Sequence, residues 1–201
     1  MSSDRPSAAR SAAPDPDGEI LLDALADRVA GVREHADATA SYAFATAVEL
    51  GLDRDFCAEV RIAARLHDIG KLYVRRELLA RPEDELSRRA KAELESHRAA
   101  GAQLVRGAGF PEPVSELVLH CGERFDAGDG RPQGVPETPL GSRIVAAACE
   151  YDRQLTRHAG PAGAGRRWAL IAVVEQSGSR LDPLVVDALA RVVERAEGAA
   201  G

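Results

Sequence analysis

The chain has 201 residues, of which 45% are hydrophobic and only 4% aromatic, which predicts one globular domain with a core of Ala, Leu and Val. A net charge of −6 argues against sequence-independent DNA binding, and no secretory signal or apolar run long enough to span a membrane is present. Three cysteines without metal-knuckle spacing indicate reduced thiols and therefore a cytoplasmic protein.

Helical periodicity predicts an all-α fold, with a single domain over residues 19–197 and a disordered tail at residues 1–18. The first helical pattern runs from residue 19 to Gly51. Asp53 is a suitable N-cap for the next helix, which leads into the sequence LHDIGK.

The second half of the chain also consists of helical patterns. An amphipathic helix is predicted at residues 86–107, and another carries VSELVLHC after Pro111 and Pro113. A glycine-rich loop ends near residue 139, and three further helices follow. The last of them is capped by Asp182, with Pro183 at its first position.

The strongest local signal is LHDIGK, residues 66–71. An imidazole and a carboxylate at His67 and Asp68 can hold one divalent cation where a helix ends, because adjacent side chains diverge by about 100° within a helix. Gly70 provides such an end, and Lys71 lies one turn after His67, where it can bind a phosphate oxygen. The alternative is that Asp68 and Lys71 form a surface ion pair while His67 fills the core.

Other histidines lie on separate predicted helices and could join this pair. His35 lies among small residues, His97 lies in the amphipathic helix, and His120 lies in the helix that follows Pro113. A single histidine on a helix is more often structural than a ligand, but here three helices each offer one. His158, in the segment RHAGPAGAG, is predicted to be a surface residue.

The order of these motifs resembles the HD-GYP branch of the HD-domain metal-dependent phosphohydrolases. LHDIGKLYVRRELLARP is similar to the family pattern LHDIGKIxVPxxILxKP, and SHRAAGAQLV is similar to HPxxGxxxL. PLGSRIVAAACEYD resembles PLGARILAVADAFD, and GSRLDPLVVDAL resembles GxxFDPxVVxAF. The resemblance covers nearly the whole helical region, with the motifs in the family's order.

This resemblance implies an all-α HD-domain helical bundle that binds two or three metal ions, often iron or manganese. Known members hydrolyse cyclic dinucleotides, chiefly cyclic di-GMP, with a metal-activated water. Carried over position by position, His35, His67, Asp68 and His97 match metal ligands, and Asp68 bridges two ions. Lys71 matches the lysine that contacts the substrate phosphate, so Asp68 and Lys71 are the candidate catalytic residues.

Three metal-ligand positions depart from the family pattern. Two ligand histidines fall on Cys121 and Gly122, and a ligand aspartate falls on Cys149. Arg124 matches the arginine of the family's HHERWDG and is a candidate for binding the substrate. The family's GYP becomes GRP, whose Arg131 is a further substrate-binding candidate.

Two interpretations remain open. In the first, one divalent transition metal (iron, manganese or zinc) is held by the retained ligands with Cys149, and His120 bends in to replace a lost histidine. The protein is then a metal-dependent phosphodiesterase or phosphohydrolase acting on a nucleotide or another phosphoester. In the second, Cys121 and Cys149 are small core residues, and the domain is a non-catalytic signalling module that binds a nucleotide or a protein partner or forms a homodimer.

Overall fold

The computed structural model describes residues 16–81, 85–126, 137–158 and 164–198, which form ten α-helices and one 3-10 helix. In chain order they are α1 (Pro16–Ala26), α2 (Val32–Glu49), α3 (Arg54–Leu66), the 3-10 helix (Ile69–Tyr73), α4 (Arg76–Leu79), α5 (Arg88–Glu95), α6 (His97–Gly107), α7 (Glu112–His120), α8 (Leu140–Arg157), α9 (Ala164–Val174) and α10 (Pro183–Gly198). These residues form no β-strand, which confirms the all-α prediction. None of the described helices combines the length and the hydropathy needed to cross a bilayer.

Two predicted helices are each divided in the structure. Gly31 has a φ of +73° between α1 and α2, a left-handed conformation that an α-helix cannot contain. At the end of α5 the Ser96 hydroxyl donates to the carbonyl of Glu93, and such local bonds compete with helix continuation. The first helix begins at Pro16, so residues 16–18 are helical although they were predicted to be part of the tail. Residues 1–15 lie outside the described residues.

Both predicted N-caps are confirmed. The Asp53 carboxylate accepts hydrogen bonds from the backbone N–H groups of Asp55 and Phe56, 3.1 and 3.0 Å away. The Asp182 carboxylate accepts from the N–H of Leu184 at 2.8 Å, at the start of α10. These bonds satisfy N–H groups that have no partner inside a helix, and they fix where α3 and α10 begin.

Two sets of helices pack around one interior region. Helix α2 packs against α3 and α8, and α6 packs against α7 and the 3-10 helix. The core between them consists mostly of Ala, Val and Leu, as the composition predicted, with Phe110 and Tyr151 as its buried aromatic side chains.

A contact between two glycines brings the 3-10 helix against the start of α6. A Cβ on Gly70 would lie 1.8 Å from the carbonyl oxygen of His97 and 2.5 Å from the nitrogen of Gly101. Gly70 was predicted to end a helix, but α3 already ends at Leu66. The role of Gly70 is instead to let the two backbones approach, which sets the residues after α3 beside His97.

Candidate metal centre

His67 and Asp68 lie in the tight turn between α3 and the 3-10 helix. Both are buried, with 3% and 4% of their surface exposed, and Nε2 of His67 is 3.4 Å from Oδ1 of Asp68. Because the helix ends at Leu66, the two adjacent side chains approach each other instead of diverging as they would within a helix. This is the arrangement that the HD pair was expected to need.

Three more side chains approach this pair from other helices. His97 begins α6 and places Nε2 3.4 Å from Oδ1 of Asp68, while His35 of α2 places Nε2 3.9 Å from Oδ2. Cys149 of α8 places Sγ 3.4 Å from Nε2 of His67 and 3.7 Å from Nε2 of His35. We call these five side chains, His35, His67, Asp68, His97 and Cys149, the histidine cluster.

Hydrogen bonds from Nδ1 fix the orientation of two of the imidazoles. Nδ1 of His67 donates to the carbonyl of Ala64 at 2.7 Å, and Nδ1 of His97 donates to the carbonyl of Leu94 at 2.5 Å. A carbonyl can only accept, so the ring proton of each is on Nδ1, and Nε2 carries a lone pair when the ring is neutral. Both lone pairs face the centre of the cluster.

His35 is oriented by a carboxylate that the sequence analysis missed. Its Nδ1 lies 2.6 Å from Oδ2 of the buried Asp152. Asp152 follows Cys149 by three residues on α8, so the two side chains share one face of that helix. That spacing was the available signal, and metal-ligating histidines commonly have such a carboxylate partner.

Burial and neighbouring groups set the protonation of the cluster. Burial alone would raise the pKa of Asp68, but the neighbouring groups, the Lys71 cation among them, hold it well below its usual value. Burial lowers the pKa of His67, which favours the neutral ring. Burial opposes protonation of His35 as well, but Asp152 and Cys149 together outweigh that effect and raise the pKa.

The cluster contains more lone pairs than protons to satisfy them. Oδ1 of Asp68 is buried and accepts no hydrogen bond from the described part of the chain, while Nε2 of His67 and Nε2 of His97 both face it at 3.4 Å. Lone pairs that face one another repel unless a cation lies between them. Imidazole nitrogen, carboxylate oxygen and thiolate are all ligands of transition metals, so the cluster fits a divalent ion.

Three of the candidate ligands form a compact group. One ligand atom from each of His35, His67 and Cys149 lies within 4.8 Å of the other two. Two histidines that match ligand positions of the family pattern therefore lie close together, and Cys149 lies beside them. Asp68 contacts both this group and His97, since its Oδ1 faces His67 and His97 while its Oδ2 faces His35.

Lys71 forms an ion pair with Asp68, as one of the two interpretations of LHDIGK required. Its Nζ is 2.5 Å from Oδ2. The pair does not lie on the surface, however, since only 17% of the Lys71 side chain and 6% of the Asp68 side chain are exposed. Lys71 therefore places a positive charge at the edge of the histidine cluster.

Cys121 and His120 do not join the cluster. Sγ of Cys121 donates to the carbonyl of Val118 at 3.2 Å, its side chain belongs to the hydrophobic core, and burial raises its pKa to about 12. The ring of His120 is held by carboxylates near it in sequence, with Nδ1 2.6 Å from Glu123 and Nε2 3.7 Å from Glu116. The structure thus does not bring in His120 as the replacement ligand that was expected.

Of the candidate substrate residues, Arg124 lies at a groove beside the cluster. Arg124 pairs with Asp126 through two bonds of 2.8 and 2.7 Å and lines this groove, whose volume is about 480 Å³. Arg131 lies outside the described residues. A smaller cavity of about 30 Å³ lies over the cluster, and Arg98 and Gly122 line both spaces. The smaller cavity has room for about one water molecule or ion, whereas only the groove could admit a nucleotide.

The HD-domain family profile matches residues 19–185, which is most of the chain and includes the whole histidine cluster. The chain belongs to the HD-domain family. The family membership predicted from the motifs is confirmed, and the His67–Asp68 pair of this HD domain lies at the centre of the cluster.

Curated relatives of this HD domain include RpfG of Xanthomonas campestris, which is named a cyclic di-GMP phosphodiesterase response regulator. It is 32% identical over 153 residues, and the match covers 72% of this chain and 39% of the relative. A cyclic di-GMP phosphodiesterase of Thermotoga maritima is 29% identical over 150 residues, or 73% of this chain and 40% of the relative. The chain thus spans about two fifths of the length of these relatives.

Solved structures with the same fold include the HD domain of PgpH from L. monocytogenes in complex with cyclic-di-AMP. Its TM-score is 0.63 at 18% identity, covering 89% of this chain and 96% of that one. An HDG"Y"P protein from Bdellovibrio bacteriovorus matches with a TM-score of 0.64 at 18% identity, covering 89% of this chain and 61% of that one. These similarities confirm the helical bundle expected for an HD domain.

Proposed function

We propose that this HD domain is a metal-dependent phosphodiesterase whose substrates are cyclic dinucleotides. The observation that carries the proposal is the convergence of imidazole lone pairs, the Asp68 carboxylate and the Cys149 thiol on one buried site. The substrate class is supported by the relatives named cyclic di-GMP phosphodiesterases, which are 29–32% identical to this chain over the matched region.

One divalent transition metal fits the cluster. His35, His67 and Cys149 would hold it together with Asp68, and the thiol favours zinc or iron over harder cations. When bound, such an ion activates a water molecule as nucleophile and neutralises charge that develops at phosphorus.

The protein's own residues prepare this site. The carbonyls of Ala64 and Leu94 and the carboxylate of Asp152 hold the three imidazoles with Nε2 facing inward, so little reorganisation is needed when a ligand binds. Asp68 stays ionised, and Lys71 beside it provides a fixed positive charge that can attract a phosphate oxygen.

The test measures metal content and hydrolysis in the same protein preparation. Protein purified without oxygen and without chelator is analysed for bound metal and assayed with cyclic di-GMP and an activated aryl phosphodiester. Asp68→Asn keeps the shape of the side chain but removes its charge, so metal and activity should be lost together. Activity that survives Asp68→Asn would contradict the proposal.

A matched histidine pair provides the control. His35→Gln removes one ring of the cluster, whereas His158→Gln removes an exposed ring that packs near Trp168. We expect the His35 variant to lose metal and the His158 variant to keep it. Equal metal content in the two variants would show that the ion binds elsewhere.

A second function, a nucleotide-binding module without turnover, is favoured by a different observation. Cys121 is protonated and part of the core, and Gly122 has no side chain, so two of the family's ligand positions are lost. In that case cyclic di-GMP binds and is recovered intact with iron, manganese or zinc present. Binding with slow hydrolysis supports the enzyme, and binding alone supports the module.

A further inference from the structure

Gly122 and Arg98 share one volume at the edge of the histidine cluster. A Cβ added to Gly122 would lie 1.9 Å from Nε and 2.0 Å from Cζ of Arg98, far inside any real contact distance. The guanidinium of Arg98 therefore occupies the space into which any side chain at position 122 would extend. Its position depends on residue 122 being glycine.

The Arg98 guanidinium lies between the metal cluster and the groove. Arg98 follows His97 directly on α6, so it begins at the cluster itself. Arg98 and Gly122 line both the small cavity over the cluster and the groove of about 480 Å³. A phosphate that lies across the boundary of the two spaces would therefore lie beside this residue.

Arginines outnumber acidic side chains around the groove despite the chain's net charge of −6. Arg98, Arg124 and Arg180 line it, together with Glu95 and Glu123. Arg124 is engaged by Asp126, and Arg180 approaches Glu150 at 3.6 Å. A planar guanidinium can donate two parallel hydrogen bonds to a phosphate, and a partly buried one is screened less by solvent than a surface charge.

We propose that Arg98, in the space left by Gly122, forms a phosphate-binding subsite next to the histidine cluster. Its ligand is a phosphodiester or phosphate group that lies across the boundary between groove and cavity. The subsite places a permanent side-chain cation beside the single metal site. The choice of a dinucleotide as the natural ligand rests on the proposed function, whereas phosphate binding by Arg98 does not.

The first experiment measures binding by titration calorimetry with two probes, inorganic phosphate and cyclic di-GMP, on the full chain as purified. Chromatography confirms that the dinucleotide is intact at the end. Arg98→Gln should weaken binding of both probes roughly 10- to 100-fold, because charged hydrogen bonds to the phosphate are lost. Arg98→Lys should recover part of the affinity as a point charge. Arg106→Gln, also on α6 but paired with Glu112, is the matched control and should bind as the original protein does.

A double-mutant cycle tests the dependence on glycine. Gly122→Ala should displace the guanidinium and weaken phosphate binding, but it should have no further effect in the Arg98→Gln background. A thermal melt shows whether each variant is folded. If Gly122→Ala does not fold, the phosphate affinities of Arg98→Gln and Arg106→Gln test the subsite without it.

The outcomes separate this proposal from the proposed function. Unchanged affinity in Arg98→Gln, no binding of either probe to the original protein, or loss of bound metal in Arg98→Gln would each overturn the subsite. Weaker phosphate binding with normal metal content supports it, even if no hydrolysis is detected. Weaker binding of phosphate alone, with dinucleotide affinity unchanged, would overturn the dinucleotide as its ligand.

Discussion

Cys121 and Cys149 are both buried thiols at positions where the family pattern has metal ligands, but their surroundings differ. Cys149 faces two imidazoles, while Cys121 donates to a backbone carbonyl within the core. The surroundings of Cys149 therefore agree with the first interpretation of the sequence, and those of Cys121 agree with the second. Cys149 fits a ligand and Cys121 fits a small core residue.

We expect Cys149→Ser to reduce bound zinc or iron, because a hydroxyl is a poorer ligand than a thiolate for these metals. Cys121→Ser should leave metal content unchanged, since that thiol stays protonated with a pKa of about 12 and faces the core. Elemental analysis of the two proteins purified in parallel makes the comparison. The reverse order of metal loss would mean that the assignment of the two cysteines is wrong.

Asp152 is not itself a candidate ligand, but it orients His35, which is one. Replacing its carboxylate by an amide in Asp152→Asn should weaken metal affinity roughly 10- to 100-fold, as is typical for partners of ligating histidines. Competition with a chromogenic chelator measures this change. Asp37→Asn, a matched change of an exposed carboxylate on α2, should leave the affinity as it was.

At the residue scale, the candidate ligands that match the family pattern could be predicted from the sequence, and their neighbours could not. His35, His67, Asp68 and His97 could be assigned because their motifs occur in order along the chain. The contact between Arg98 and Gly122 joins the start of α6 to the turn after α7, and no spacing in the sequence predicts such a contact.

At the scale of elements, the approach of the 3-10 helix to α6 decides whether Asp68 can face His97. That approach depends on Gly70 and Gly101, which bring two backbones into direct contact. The sequence indicated both helices but not their contact. It also predicted continuous helices through Gly31 and Ser96, because apolar periodicity persists across a short break even though the backbone changes direction.

Gly70→Ala should destabilise the fold by about 1–3 kcal/mol, because the added Cβ would overlap the carbonyl of His97. Metal affinity should fall as well, since α6 must move away from Asp68. Gly107→Ala is the control within α6, because a Cβ there meets no atom within 4 Å. Urea unfolding and metal titration measure both effects, and equal stability of the two variants would rule out the close contact.

At the scale of the whole molecule, the histidine cluster connects parts of the chain that are far apart in sequence. Its side chains come from α2, the turn after α3, α6 and α8. The negative net charge gave no sign of the arginines around the groove, because net charge carries no information about position.

Because the ion would join four elements, metal should stabilise the entire fold. We expect the melting temperature to rise with added zinc or iron and to fall with chelator, with about 2.7 kcal/mol gained at a metal concentration 100 times the dissociation constant. Asp68→Asn should not respond to metal. A melting temperature that is independent of metal in the original protein would argue against binding at the cluster.

The narrow cavity over the cluster has a kinetic consequence. A space of about 30 Å³ is too small for a chelator molecule, so we expect an ion held there to be released when the surrounding helices part. The rate of metal loss should then reach a limit at high chelator concentration, set by the frequency of local opening. The same barrier would keep a weakly bound ion in place for longer than its equilibrium affinity implies, and it would slow exchange with competing metals in a cell.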